Sequence, residues 1–129
     1  MAKKIFVFGF LISLVFSSCS HEEGYGGLAT IKGKVYGKNY NSNEVLVNEG
    51  YLGGVKVYIS KHGDPNYFDS MDSAYDGSFK FDYLYKGTYD LWVYGDCDYC
   101  DWDQVYVLKT ISVNSKRATV ETEDFVVSF

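Results

Sequence analysis

Hydrophobic and polar positions alternate with a period of two along most of the chain from residue 29 onwards. Successive side chains of a β-strand point to opposite faces, so this alternation is typical of strands with one buried face. No stretch of ten or more residues has the spacing of a helix. The alternating segments are residues 30–36, 54–60, 78–82, 88–94, 105–113 and 118–129, the last with a break near Glu123. Six or seven short strands in about 100 residues predict an all-β fold, a β-sandwich with packed inner faces and solvated outer faces.

The alternation also places aromatic side chains on the predicted outer faces. The core set is Ile31, Val35, Val55, Val57, Ile59, Phe79, Phe81, Tyr89, Leu91 and Val93, and the outer set includes Tyr36, Tyr58, Trp92 and Tyr94. Exposed aromatic rings can stack on sugar rings or anchor a protein partner, whereas cross-strand aromatic pairs also stabilise a solvated face without binding anything. Trp92 and Tyr94 are therefore candidate ligand-binding residues, together with two aromatic residues of the following loop. Those loop residues are Tyr99 and Trp102, and a purely structural role stays open for all four.

The N-terminus has the organisation of a secretory signal peptide. Lys3 and Lys4 precede an apolar run over residues 5–16, and small residues follow. Such a run is too short to span roughly 30 Å of hydrocarbon as a helix, which disfavours a transmembrane anchor. The small residues lead directly into Cys19, and residues 16–19 (Phe-Ser-Ser-Cys) resemble the bacterial lipobox. The resemblance implies that Cys19 is lipidated and becomes the first residue of the mature chain; the alternative is ordinary cleavage nearby with a free thiol.

These features divide the chain into three parts. They are a lipoprotein signal peptide (residues 1–18), the lipidated cysteine with a flexible polar tether (residues 19–28), and the β-sandwich domain (residues 29–129). Bacterial lipoproteins carry three acyl chains, which implies stable attachment to a lipid bilayer. Glu22 and Glu23 resemble the acidic signal that exports some Gram-negative lipoproteins, although they equally suit a solvated linker. The expected location is the outer membrane, lipid-anchored and exposed at the surface of a Gram-negative cell.

Composition and charge narrow the possible partners. The net charge is −5, and removal of residues 1–18 leaves 10 basic and 17 acidic side chains, or −7. An acidic chain lacks the basic face that nucleic acid requires, so nucleic acid is not expected as a partner. The same charge disfavours close contact between the domain and an anionic membrane surface. Aromatic residues make up 19% of the chain, which excludes intrinsic disorder.

One block of the chain carries a family resemblance. The block reads Asp76-Gly77-x-Phe79-x-Phe81-x-x-Leu84-x-x-Gly87-x-Tyr89-x-Leu91-x-Val93, and it follows Ile31-x-Gly33-x-Val35 and Gly54-Val55-x-Val57. Together these motifs resemble the carboxypeptidase regulatory-like domain over residues 31–113. The resemblance implies a seven-stranded, transthyretin-like (prealbumin-like) Greek-key sandwich. Residues 38–52 depart from the family pattern as a long insertion, of which residues 39–43 are loop-like. In metallocarboxypeptidases this module accompanies a separate catalytic domain, so the resemblance implies an accessory or interaction module.

Catalytic chemistry is not expected from these residues. A catalytic zinc site needs histidine and carboxylate ligands at a set spacing, whereas His21 falls in the tether and His62 stands alone in a turn. The sequence also offers no evident pair of nucleophile and base. We therefore predict a protein that is not an enzyme and that needs no cofactor.

Residues 95–103 form an acidic loop that contains two cysteines. With Cys19 assigned to lipid, Cys97 and Cys100 remain as a pair in an oxidising compartment, which favours a structural disulfide. Redox catalysis and zinc binding are the alternatives, but nearby carboxylates raise a thiol pKa and two further zinc ligands are lacking. The carboxylates belong to Asp96, Asp98, Asp101 and Asp103. They are candidate calcium ligands, although their spacing is not that of an EF-hand, and a solvated acidic loop is the alternative.

The predicted function is that of a non-catalytic surface lipoprotein. Its β-sandwich would act as a binding or assembly module that presents loops for protein–protein interaction at the outer membrane. The alternative is a carbohydrate-binding lipoprotein that uses its exposed tryptophan and tyrosine side chains.

Overall fold

A computed structural model describes residues 22–98 and 101–129. Within them the chain folds as two packed β-sheets, which confirms the predicted all-β sandwich. The strands are β1 (Tyr25–Tyr40), β2 (Leu46–Tyr51), β3 (Lys56–Lys61), β4 (Asp69–Asp72), β5 (Ser78–Leu84), β6 (Gly87–Asp96), β7 (Gln104–Val113), β8 (Thr119–Glu121) and β9 (Phe125–Ser128), and a single 3₁₀ turn, Asp101–Asp103, precedes β7. The predicted signal peptide, Cys19, Tyr99 and Cys100 lie outside the described residues. No helix in the described ranges is long and apolar enough to cross a membrane.

The long strand β1 organises the first sheet, which has five strands. Its first half pairs with antiparallel β5 and parallel β8, so that Ile31 lies between Phe81 and Val120. Its second half pairs with antiparallel β2 and parallel β9, so that Tyr36 lies between Tyr51 and Val126. One strand thus pairs with four short ones, and nearly all side chains of β2 are exposed.

The second sheet has four antiparallel strands in the order β4-β3-β6-β7. Strand β6 is central, and it pairs with β7 along its whole length, from Gly87 opposite Val113 to Asp96 opposite Gln104. On its other side β6 pairs with β3. Because paired residues of neighbouring strands point to the same face, this register decides which side chains share the outer face of the sheet.

The core between the sheets consists of the side chains that the alternation predicts. Nine of the ten residues of the predicted core set are buried, and Val55 is partly buried and packs against them. The core also includes Ala29, Leu84, Ile111, Val113, Phe125 and Val127. Phe125 packs against Phe79, with 5.7 Å between their ring centroids. The inner-face prediction is therefore confirmed strand by strand.

The described strands number nine, whereas the sequence predicts about seven. Strand β2 lies in the predicted insertion of residues 38–52, after its loop-like residues 39–43, and the sequence predicted no strand there. It forms because β1 runs on to Tyr40 and the chain turns back on it as a hairpin. Strand β4 (Asp69–Asp72) was also missed, since its polar residues carry no alternation and it forms by pairing with β3. The predicted break near Glu123 does separate β8 from β9.

The described fold reaches four residues further towards the N-terminus than the predicted domain boundary. Strand β1 begins at Tyr25, within the predicted tether of residues 19–28. The Gly24 amide donates to the Tyr89 hydroxyl at 2.9 Å, and the Gly24 carbonyl accepts from the Tyr85 amide at 2.8 Å. The glycine-rich sequence here has no hydrophobic alternation, so only these long-range hydrogen bonds reveal that it belongs to the sandwich.

Candidate functional site

The outer face of the four-stranded sheet brings side chains from distant parts of the chain into rows. Trp92 in β6 lies between Tyr58 in β3 and Leu108 in β7. The next row places Asp90 between Ser60 and Thr110. A third pair, on the other side of Trp92, joins Tyr94 to Tyr106. The face is therefore aromatic on one side of the Trp92 row and polar on the other.

The aromatic side chains of this face form one contiguous cluster. We call Tyr58, Tyr67, Trp92, Tyr94 and Tyr106 the aromatic cluster. The Tyr58 and Trp92 rings are stacked, with 5.5 Å between centroids and 13° between planes. Tyr67 packs edge-on against Tyr58 at 4.8 Å, and Tyr94 contacts Tyr58 at 5.8 Å and Tyr106 at 6.4 Å. These contacts hold the indole of Trp92 in one orientation.

The loop between β3 and β4 is held against the polar row by Asp90. One carboxylate oxygen of Asp90 lies 2.9 Å from His62 Nδ1 and accepts from the Thr110 hydroxyl at 2.8 Å. The other accepts from the Gly63 amide at 3.0 Å. The carboxylate therefore ties the start of the loop to β6 and β7.

The electrostatics of Asp90 follow from these contacts. Burial by itself would raise the pKa of this carboxyl, because a charge is costly to desolvate. The hydrogen bonds from Gly63, His62 and Thr110 favour the charged form and outweigh burial, so the pKa of Asp90 lies below its usual range. Asp90 is thus a buried carboxylate that stays ionised at neutral pH.

A pocket of about 350 Å³ lies between the loop and the aromatic cluster. It is lined by Ser60, Gly63, Asp64, Pro65, Asp90, Trp92, Tyr94, Tyr106 and Leu108. Trp92 lines the pocket, whereas Tyr58, which stacks on Trp92, is not among the described residues that line it. The volume lies at the lower end of the roughly 300–1,000 Å³ typical of small-molecule sites. The pocket thus combines an immobilised aromatic ring with polar oxygens, on a scale that suits a small ligand.

The structure brings some of the predicted site residues together and separates others. Trp92 and Tyr94 line the pocket, and the Tyr58 ring stacks on Trp92. Tyr36 lies on the other sheet, where it pairs with Tyr51. Trp102 is 93% exposed and lies outside the residues that line this pocket, with a left-handed backbone (φ 65°). Tyr99 falls outside the described residues.

The sequence did not predict that the loop between β3 and β4 and the strand β7 contribute to the site. His62 and its neighbours were predicted to form a solvated turn, and Asp90, Tyr106 and Leu108 were not singled out. A charged residue between the core positions Tyr89 and Leu91 of β6, two residues before the outer position Trp92, was the available signal for Asp90. The contribution of β7 depends on strand register, which the alternation does not specify.

The acidic loop after β6 lies near a different pocket. Cys97 is disulfide-bonded, and Cys100, its predicted partner, lies outside the described residues, so that pairing stays a prediction. A second pocket of about 580 Å³ is lined partly by Asp96, Cys97 and Asp98. In the part of the chain that the structure describes, no group of three or more histidine, cysteine or acidic side chains could hold a metal ion. Calcium binding by this loop also stays a prediction.

Comparisons with known proteins do not place the chain in a family. No family model matches the sequence, and no curated protein matches it. A solved structure that is similar to this chain is that of a proposed carbohydrate-binding protein from Pseudomonas aeruginosa. The two are 15% identical, with a TM-score of 0.49, over 82% of this chain and 91% of that one. Membership of the carboxypeptidase regulatory-like family stays a prediction from the sequence motifs.

Proposed function

We propose that this protein is a non-catalytic carbohydrate-binding module that holds a sugar ring of a glycan against Trp92. The observation that carries the proposal is the position of this indole, which is stacked on Tyr58 and lines the pocket. A pyranose ring has apolar C–H faces that pack on flat aromatic rings. A ring that is already immobilised loses little entropy when it binds, which favours affinity.

The polar residues of the pocket suit the rim of a sugar ring. Sugar hydroxyls both donate and accept hydrogen bonds. Asp64 and Asp90 offer carboxylate oxygens, and Ser60, Tyr94 and Tyr106 contribute hydroxyl groups around the pocket. An apolar surface with a few convergent polar groups is the general design of a small-ligand site.

The chemistry of Asp90 supports the non-catalytic part of the proposal. A glycosidase uses two carboxyl groups, one of which is a general acid with a raised pKa. The pKa of Asp90 is lowered instead, which disfavours this residue as a general acid, and its carboxylate accepts three hydrogen bonds that hold the loop. The resemblance to an accessory module of carboxypeptidases agrees with a binding role.

We further propose that the module is displayed on the outer membrane of a Gram-negative cell through lipid on Cys19. The support is the lipobox-like sequence at residues 16–19, which follows a signal-peptide pattern. A surface position would give the pocket access to extracellular glycans.

A protein partner is the second candidate, and strand β2 favours it. Val45, Leu46 and Val47 are all exposed, and within the described residues β2 pairs with β1 alone. An exposed apolar edge strand can accept another strand by main-chain hydrogen bonding. Such a partner would bind away from the Trp92 pocket.

The proposal is tested by affinity electrophoresis of the purified protein in gels that contain neutral polysaccharides, with tryptophan fluorescence as a second readout. We expect at least one polysaccharide to retard the protein and to shift its emission. Trp92→Ala should weaken binding by about tenfold or more, as loss of a central aromatic anchor does. Trp102→Ala is the matched control, because it removes an exposed indole outside the pocket and should leave binding unchanged. Absence of retardation across the panel, or equal losses in the two variants, would contradict the proposal.

A further inference from the structure

The charged side chains that line the Trp92 pocket are all acidic. Two of its lining residues, Asp64 and Asp90, are carboxylates, and no lysine or arginine is among the described residues that line it. Lys56 projects from the same face of β3, but it lies opposite Asp72 in β4. The basic group nearest to Asp90 in the hydrogen-bond network is His62, whose Nδ1 lies 2.9 Å from the carboxylate.

The negative charge of Asp90 is fixed by its surroundings. Its hydrogen bonds hold the pKa of the carboxyl below its usual range, so the group does not become neutral when an acidic ligand approaches at neutral pH. Because Asp90 is largely buried, water and salt screen its charge less than they would on an open surface. Asp64 adds a second, exposed charge at the rim, where its Oδ1 accepts from the Asn66 amide at 2.9 Å.

We propose that the pocket selects uncharged glycans and rejects acidic ones, with Asp64 and Asp90 as the residues that determine this specificity. The inference rests on the proposed carbohydrate-binding function. A uronic acid or sulfated sugar stacked on Trp92 would carry its anion close to two carboxylates without a cation to receive it. Discrimination of this kind works by repulsion of the wrong ligand and needs no extra contact to the correct one.

The test compares matched pairs of polysaccharides that share a backbone and differ in charge. The pairs are hydroxyethyl-cellulose and carboxymethyl-cellulose, methyl-esterified and de-esterified homogalacturonan, and dextran and dextran sulfate. Affinity for the full mature protein is measured at pH 8, above the range in which imidazoles ordinarily titrate, at low and at high salt. For any polysaccharide pair that binds, we expect the anionic member to bind about tenfold more weakly than the neutral member at low salt. This difference in affinity, called the gap below, should narrow at high salt.

The variant Asp64→Asn separates charge from shape. Asparagine keeps an oxygen for the Asn66 amide, so the loop should be preserved while one charge is removed. Because Asp64 also lines the pocket, the readout is the ratio of the affinities for the neutral and the anionic member, each measured for the variant and for the wild type. We expect this ratio to move towards one in the variant at low salt. Binding of a sulfated polymer also responds to the overall charge of the protein. The control is therefore Asp124→Asn, which removes a charge between β8 and β9 and should leave the affinity difference unchanged.

The outcomes distinguish this inference from the proposed function. If an anionic member binds as tightly as its neutral counterpart in a Trp92-dependent manner, the protein binds carbohydrate but the charge selection is wrong. An unchanged gap in Asp64→Asn would likewise overturn the role of Asp64. If no member of any pair binds, both the proposed function and the selection that rests on it fail.

Discussion

The two outer faces of the sandwich both carry tyrosines, yet they are built differently. On the five-stranded sheet, Tyr36 packs edge-on against Tyr51 with 5.1 Å between ring centroids, and Lys34 Nζ lies 4.8 Å from the centroid of Tyr51. The Tyr51 hydroxyl donates to Asp124 at 3.0 Å. On the four-stranded sheet, the rings stand beside a loop that leaves a pocket of about 350 Å³ against Trp92. The tyrosines of the five-stranded sheet pack against each other, whereas the aromatic cluster of the four-stranded sheet borders a pocket with room for a ligand.

The difference shows that aromatic residues on a strand do not make a site by themselves. Tyrosine packs well on a pleated surface, and pairs such as Tyr36 and Tyr51 stabilise a solvated sheet. A binding site also needs a segment that encloses a pocket beside the rings. Here that segment is the loop between β3 and β4, which Asp90 holds through His62 and Gly63. The buried carboxylate of Asp90 is therefore the feature that distinguishes the outer face of the four-stranded sheet from that of the five-stranded sheet.

The largest expected effect comes from removal of this carboxylate. Asp90→Ala leaves the Gly63 amide and the Thr110 hydroxyl without their partner, and we expect the free energy of unfolding to fall by about 2–4 kcal/mol. Glycan binding should be lost as well, because the loop no longer forms one side of the pocket. Urea denaturation followed by circular dichroism measures the first effect, and affinity electrophoresis measures the second.

The matched change on the other face is Asp124→Ala. It removes the acceptor of the Tyr51 hydroxyl, which is an exposed contact. We expect a much smaller loss of stability and unchanged glycan binding. If the two variants lost equal stability, Asp90 would not be the element that distinguishes the faces.

A second, smaller effect is expected from pH. The pKa of Asp90 is lower in the folded protein than its ordinary value of about 3.9, so its ionised form stabilises the fold above that value. This contribution is lost as the pH falls through the folded pKa. The stability difference between the wild type and Asp90→Ala should therefore be full at neutral pH and shrink below about pH 4. Asp76 and Asp82 also have lowered pKa values, but both proteins contain them, so their contributions cancel in the difference.

Acid titration of the two proteins by denaturation at fixed pH steps measures this effect. A difference that stayed constant down to pH 2 would mean that the charge of Asp90 is not what holds the loop.

The sequence predicted which face of each strand is buried, but it could not predict which strands share a face. The alternation assigned Tyr36, Tyr58 and Trp92 alike to outer positions, and all three do lie outside the core. Only the pairing of β3 with β6 brings Tyr58 to Trp92, and only the pairing of β1 with β2 takes Tyr36 to the other sheet. Period-two patterns fix the face of a side chain, whereas strand order depends on contacts between distant residues.

The position of the loop between β3 and β4 could not be predicted from the sequence for a similar reason. His62 and Gly63 lie in a turn by composition, and nothing local links them to Asp90, 28 and 27 residues further along the chain. The polar strand β4 and the glycine-rich start of β1 were missed because their partners, and not their own patterns, determine their conformation. Local sequence therefore predicted the core of the sandwich, and long-range hydrogen bonds determine the site.

The smallest expected effect concerns the support behind Trp92. Tyr58→Leu removes a stacked ring that is not among the described residues lining the pocket, so any loss of binding arises through the orientation of the indole. Aromatic pairs are worth about 0.5–1.5 kcal/mol beyond their buried area, so affinity for a neutral polysaccharide should fall by roughly two- to tenfold. Tyr58→Phe keeps the ring and should restore binding, and Tyr51→Leu on the five-stranded sheet should leave it unchanged. Equal losses in Tyr58→Leu and Tyr51→Leu would mean that binding responds to general stability, and that the stacked ring does not position Trp92.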